Sequence, residues 1–104
     1  MESIQLEAIP NQKINVQLSR VSYNIRINTR CGLTFLSLLQ GEEPITYSRI
    51  CLPNRSVAIP KYKFNGVLFW VSQDDETPYY PKFGTLHKLY YATLEEFKEL
   101  TNGA

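Results

Sequence analysis

The 104-residue chain has one histidine and two cysteines, Cys31 and Cys51. That set cannot assemble a standard zinc site. Two cysteines are also fewer than a small disulfide-stabilised secreted domain carries, so free thiols in a reducing compartment are expected. No window approaches the roughly 18 apolar residues of a membrane span, and no membrane partner is expected. The opening MESIQLEAIP has no basic region followed by a long apolar stretch. A signal peptide is therefore not expected, and folding in a cytoplasm is. An excess of one charge is missing too: 11 basic and 10 acidic residues leave +1. Binding of a polyanion usually rests on a basic excess or stripe, so the bulk charge argues against nucleic acid and leaves room only for a local patch.

Reaction chemistry is equally sparse. No serine sits in a nucleophile elbow, and no glycine loop matches a phosphate cradle. Asp74, Asp75 and Glu76 lack the alternating spacing of a calcium loop and read as a solvated loop tip. His87 lies in LHKLYY, where a lone strand histidine is a surface or satisfied residue far more often than a base. Nothing marks a partner base for either cysteine. Catalytic, cofactor-binding and metal-ligating residues are all expected to be absent, and no cofactor is expected.

What is present is a period of two. The length suits one domain over residues 1–104. With 43% hydrophobic and 20% charged residues, the chain should fold. Ile4, Leu6 and Ala8 alternate with polar neighbours, then Ile14, Val16 and Leu18, then Tyr23, Ile25 and Ile27. Turns at Pro10–Lys13, Ser19–Ser22, Thr29–Gly32 and Gly41–Pro44 separate these runs, which favours an antiparallel meander. LTFLSLL is apolar on both faces: Leu33, Phe35 and Leu39 on one, Leu36 and Leu38 on the other. It reads either as a central covered strand or as one whose outer face meets another chain. Strands follow at Ile45–Leu52, Val67–Val71 and Leu86–Ala92, with a short extended piece at Val57–Ile59. Thr93 and Glu96 then form a capping box for a helix carrying Leu94, Phe97 and Leu100, ended by Asn102-Gly103. The expected fold is all-β: a small antiparallel barrel or sandwich of about seven strands with a short C-terminal helix.

The segment Gly66–Tyr91 concentrates aromatics: Phe69, Trp70, Tyr79, Tyr80, Phe83, Tyr90 and Tyr91. A small domain must use several of these in its own core. Leu68 and Phe69 are expected there, and Tyr90 and Tyr91 are expected to divide between core and surface. Tyr, Trp and Arg are enriched where proteins meet. The expected contact residues are Trp70, Tyr79, Tyr80 and Phe83, with Leu36 and Leu38 from the two-faced strand. The alternative is a small barrel of oligonucleotide-binding type, whose rings stack on single-stranded nucleic acid. Arg20, Arg26, Arg30, Arg49, Arg55, Lys61 and Lys63 would then line its groove.

Several pieces taken in order carry a resemblance. They are Pro10-Asn11-Gln12 before INVQL, Arg30-Cys31-Gly32-Leu33, Arg49-Ile50-Cys51-Leu52, and Gly66-Val67-Leu68-Phe69. Asp74-Asp75, Phe83-Gly84-Thr85 and Leu89-Tyr90-Tyr91 before the helix complete the series. Together they resemble the phage baseplate plug family of contractile-tailed bacteriophages over nearly the whole chain. One departure is Cys31, where family members often have a second glycine beside Gly32. The resemblance implies a structural baseplate component, made in the bacterial host cytoplasm and built into the virion tail. It further implies tube, hub and wedge proteins as partners, and a ring of symmetry-related copies.

Overall fold

The computed structural model describes residues 2–60 and 63–102, with side chains through residue 98. Lys61, the Leu100 side chain and Gly103 lie outside the described residues. The strands are β1 (Glu2–Ile4), β2 (Gln12–Leu18), β3 (Val21–Arg30), β4 (Leu33–Gln40), β5 (Glu43–Ile50), β6 (Val67–Ser72) and β7 (His87–Ala92). One helix, α1 (Leu94–Asn102), follows. The strands form two antiparallel sheets, β2-β3-β4-β5 and β1-β7-β6, so the expected seven strands and helix are present and the sheets do not close into a barrel.

The first sheet is a meander because its three turns are two residues long. Leu18 pairs with Val21, Arg30 with Leu33, and Gln40 with Glu43. Ser19 and Arg20 both take positive φ (51° and 68°), as do Cys31 and Gly32 (52° and 75°). Positive φ at both central residues is what a type I′ turn needs to match the strand twist. Cys31 therefore holds a conformation that a glycine would adopt without penalty.

Inward side chains of the two sheets meet in one core. Ile25 pairs with Leu38 and Ile27 with Leu36; in the other sheet Leu68 pairs with Tyr91 and Trp70 with Leu89. All eight are buried in the same cluster. The Phe64 ring meets Tyr23 of β3 edge-on at 5.1 Å and Tyr91 of β7 at 5.8 Å. A bond of 2.7 Å between Ser19 Oγ and Tyr91 Oη ties the β2–β3 turn to β7. β6 is flanked by β7 and, on its other side, by residues 55–57: Val57 N–H donates to Leu68 O, and Trp70 N–H to Arg55 O.

Gly66 enters β6 under the Tyr91 ring. A Cβ there would lie 2.5 Å from Tyr91 Cε1, and the buried ring cannot move without losing its bond to Ser19. Gly66→Ala is expected to destabilise the chain by about 1–3 kcal/mol, the range for overpacking a filled core. Urea denaturation followed by circular dichroism checks this.

Three expectations about strands need correction. β1 stops at Ile4, so Leu6 and Ala8 belong to the connection rather than to a strand. The piece at Val57–Ile59 is reduced to a single bridge, Ser56 to Phe69. β5 does not alternate cleanly, since register shifts against β4 leave Ile45 and Thr46 both buried and Tyr47 56% exposed. The capping box is present as read: Glu96 N–H donates to Thr93 Oγ1 (3.2 Å), and Thr93 N–H to Glu96 Oε1 (3.1 Å).

Candidate functional site

The excursion between β6 and β7 is fixed by side-chain bonds at each step. Ser72, the last residue of β6, shares its single hydroxyl hydrogen between Asp74 Oδ1 (2.9 Å) and Glu76 O (2.7 Å). Asp74 Oδ2 accepts from Lys82 Nζ at 2.7 Å, and Glu76 Oε2 from the same ammonium at 3.0 Å. Pro78 is buried, and its carbonyl accepts from Thr34 Oγ1 of β4 at 2.6 Å. Pro81 then sits inside a single 3-10 turn, Tyr80–Lys82.

His87 anchors the excursion from beneath and is fully buried. The Tyr79 amide donates to its Nδ1 at 2.9 Å. An amide N–H can only donate, so the ring proton sits on Nε2 and is given to Asp74 Oδ1 at 2.8 Å. Both ring nitrogens are thus committed, and no lone pair faces solvent. Lys82 first, and His87 second, hold the Asp74 carboxyl well below the usual carboxylate range. Asp74 is therefore no solvated tip. It is an acceptor for four donors: Lys82, His87, Ser72 and the Glu76 amide.

The outcome of this bracing is that Tyr79 stands out, 37% exposed, with its ring 4.8 Å from that of Tyr80. Tyr80 is half-buried and leans on the core. Of the six expected contact residues these two reach the surface. The other four are corrected: Leu36, Leu38, Trp70 and Phe83 are buried inside the chain and offer no area to a partner. The reason is strand phase. Leu36 and Leu38 share a face with Thr34, opposite Ile27 and Ile25, and that face points to the second sheet. Trp70 lies on the inner face of β6 and stacks on Phe83 at 5.3 Å.

The residues that do face outward are their strand neighbours. On β4 and β5 these are Leu33, Phe35 and Ile50, with Phe35 directly opposite Ile50. Leu33 and Ile50 are exposed, and the Arg30 guanidinium covers the Phe35 ring at 4.6 Å. On β6 the outer face carries Phe69 between Val67 and Val71; Phe69 is half-buried, stacked on Tyr90 and tilted against Phe97, so its expected core position is corrected as well. Tyr91 is buried and Tyr90 is half-buried, the expected division.

The basic residues proposed for a nucleic-acid groove do not converge. Arg26 lines a groove on β2–β3, Arg55 one beside β6, and Lys63 a third near β5. Cys31 is an exposed free thiol, and Cys51 a buried one pushed up to about 12 by burial. Among the described residues no helix is long and apolar enough to cross a membrane, and no group of His, Cys, Asp and Glu could hold a metal ion.

Comparison with known proteins adds to this geometry. No curated protein matches the chain. A family model described as cyanophage baseplate Pam3 plug gp18 matches residues 1–95. Since that match runs from β1 to the start of α1, the chain belongs to this family of structural phage baseplate plugs, whose place is the virion's tail baseplate among other baseplate proteins.

Proposed function

We propose that the chain is a non-enzymatic baseplate subunit that joins tail-tube or hub proteins to neighbouring wedge subunits. It is made in the host cytoplasm, and its copies are arranged in a ring about the tail axis. A closed ring of identical chains uses head-to-tail contacts, so such a subunit needs at least two distinct surfaces. Two exposed features support this reading: the braced Tyr79–Tyr80 excursion, and the apolar strip of Leu33, Phe35 and Ile50.

The observation that carries this reading is the bracing itself. A buried histidine and four-donor aspartate are used to hold one exposed tyrosine in place. A pre-ordered aromatic loses little entropy on contact and supplies a large apolar area. The same histidine has no free nitrogen for proton transfer, which supports a non-enzymatic role.

Tyr79→Ala is expected to leave thermal unfolding nearly unchanged, as surface changes do, and to lower incorporation into tails. Tyr80→Ala loses packing against the core and lowers the melting temperature as well. Mass spectrometry of purified tails, with melting curves of the isolated variants, checks both. Wild-type chain missing from purified tails overturns the assignment.

A further inference from the structure

The two edges of the four-stranded sheet are built differently. The β5 edge carries Pro44, two register shifts against β4, and Ser48 at a φ of 47°. Proline and bulges of this kind make an edge unfit for pairing. The β2 edge has none of them. β2 pairs with β3 without interruption over all seven of its residues, and among the described residues no strand lies on its other side.

We propose that the open edge of β2 receives an extended segment of a different baseplate protein, added as a fifth strand, with acidic residues on the segment's outward face. Only the partner's origin in the baseplate rests on the function proposed above. Three features of the edge carry the inference.

The first is the backbone. The two-residue Ser19–Arg20 turn makes Leu18 and Val21 a hydrogen-bonded pair, and such pairs then alternate along the ladder. Gln12, Ile14, Val16 and Leu18 therefore spend their N–H and C=O groups on β3. Those of Lys13, Asn15 and Gln17 point away from the sheet, as a template for strand addition.

The second is the inner face. Ile14 and Val16 pack on the core yet remain half-exposed at this edge. Alternate apolar residues of an added strand would lie beside them and cover them.

The third is charge on the outer face. Lys13 stands directly opposite Arg26. Like charges in that relation repel. No carboxylate among the described residues pairs with either; Arg26 Nε reaches only Asn24 Oδ1 at 3.2 Å, and Asn24 in turn donates to Asn15 Oδ1 at 2.8 Å. A groove of about 650 Å³ opens over them, lined by Lys13, Asn15, Gln17, Asn24 and Arg26 among others, and by no acid. Acidic side chains from the incoming strand would relieve the repulsion. In this sequence only Asp74 and Glu76 are acidic residues two positions apart, as one face of a strand requires, and both are already engaged on Lys82. A second copy is thus a poorer source than a different protein.

The test uses the full chain and two seven-residue peptides, one alternating valine with glutamate and one alternating valine with lysine. At about ten times its Kd, the glutamate peptide should slow amide exchange at Lys13, Asn15 and Gln17 about tenfold; the lysine peptide should not. Asn15→Pro removes an outward N–H that the ladder does not use, a place where an edge tolerates proline. It should melt like the wild type, fail to bind the glutamate peptide and fail to enter tails. If proline itself lowers the melting temperature, Lys13→Glu with Arg26→Glu leaves the backbone intact and should reverse the peptide preference. Equal protection by both peptides, no protection at the three amides, or Asn15→Pro entering tails at the wild-type level each overturn the proposal. Wild-type chain missing from tails overturns the baseplate role alone, because the peptide experiment still decides the edge.

Discussion

Trp70→Ala is expected to destabilise the isolated chain by about 3–5 kcal/mol, the range for truncating a buried aromatic. Trp70 is 1% exposed, lies opposite Leu89 on the inner face of β6, and stacks on Phe83 with ring centroids 5.3 Å apart. Removing it takes contacts from both β7 and the excursion at once. A domain of this size has only about 5–15 kcal/mol of stability to lose, so this one change removes a large share of it. Trp70→Phe separates the two contributions of the indole. Its buried Nε1 has no hydrogen-bond partner among the described residues. The nearby Cys51 thiol is at best a weak acceptor, kept protonated by burial. Phenylalanine keeps most of the apolar area and removes that unpaired donor, so its cost should stay below about 1.5 kcal/mol. Urea titration followed by far-ultraviolet circular dichroism reads both variants. Were Trp70 a contact for another protein, the alanine variant would melt like the wild type and fail only to assemble.

Trp70 also shows where a sequence of this kind stops being legible. Its periods are readable, because alternation survives in nearly every strand, and the turns carry their own chemistry in Cys31-Gly32 and Gly41. The meander, the final strand, the capping box and the helix follow from that. Phase is a different quantity. Where both faces of a strand are apolar, alternation says that neighbours point opposite ways but not which way is in, and a shift of one residue exchanges the faces. LTFLSLL and VLFWV are the two strands with this property. In both, the side chains expected to face outward are the buried ones: Leu36 and Leu38 point inward while Leu33 and Phe35 face out, and Trp70 points inward while Phe69 lies on the outer face. Phase is set by cross-strand partners and by which sheet lies opposite, and neither is local. Phe83 was missed for a related reason, since its burial depends on Trp70 above it. The tie between Asp74 and His87 spans thirteen residues and a turn at positive φ, and no spacing rule connects them.

That tie makes the second large prediction. Asp74→Asn is expected to lower the melting temperature by several degrees at neutral pH, and the deficit should shrink in acid. The carboxylate accepts at Oδ2 from Lys82 at 2.7 Å and at Oδ1 from His87 at 2.8 Å, from the Ser72 hydroxyl and from the Glu76 amide. Asparagine keeps one oxygen and turns an NH₂ toward the Lys82 ammonium, donor against donor. The fully buried His87 then competes with Ser72 and Glu76 for a single neutral acceptor, and a buried donor left unpaired is costly. The sign with pH follows from the native carboxyl being held below its unfolded range, mainly by Lys82 and then by His87. Above the unfolded value of about 3.9 both states are ionised and the full contribution is present. As pH falls below that, the unfolded chain takes up the proton first and stability declines. It is lost as pH passes the lower native value. Melting curves of wild type and Asp74→Asn should therefore differ by a constant amount from about pH 5 to pH 8 and converge below about pH 4. A deficit that holds unchanged into strong acid would mean that the geometry around His87, and not the charge on Asp74, braces the excursion. Because Tyr79 hangs from His87 by its own amide, Asp74→Asn should also reduce incorporation into tails at temperatures where the variant remains folded, a loss that Tyr79→Ala reproduces without the change in melting.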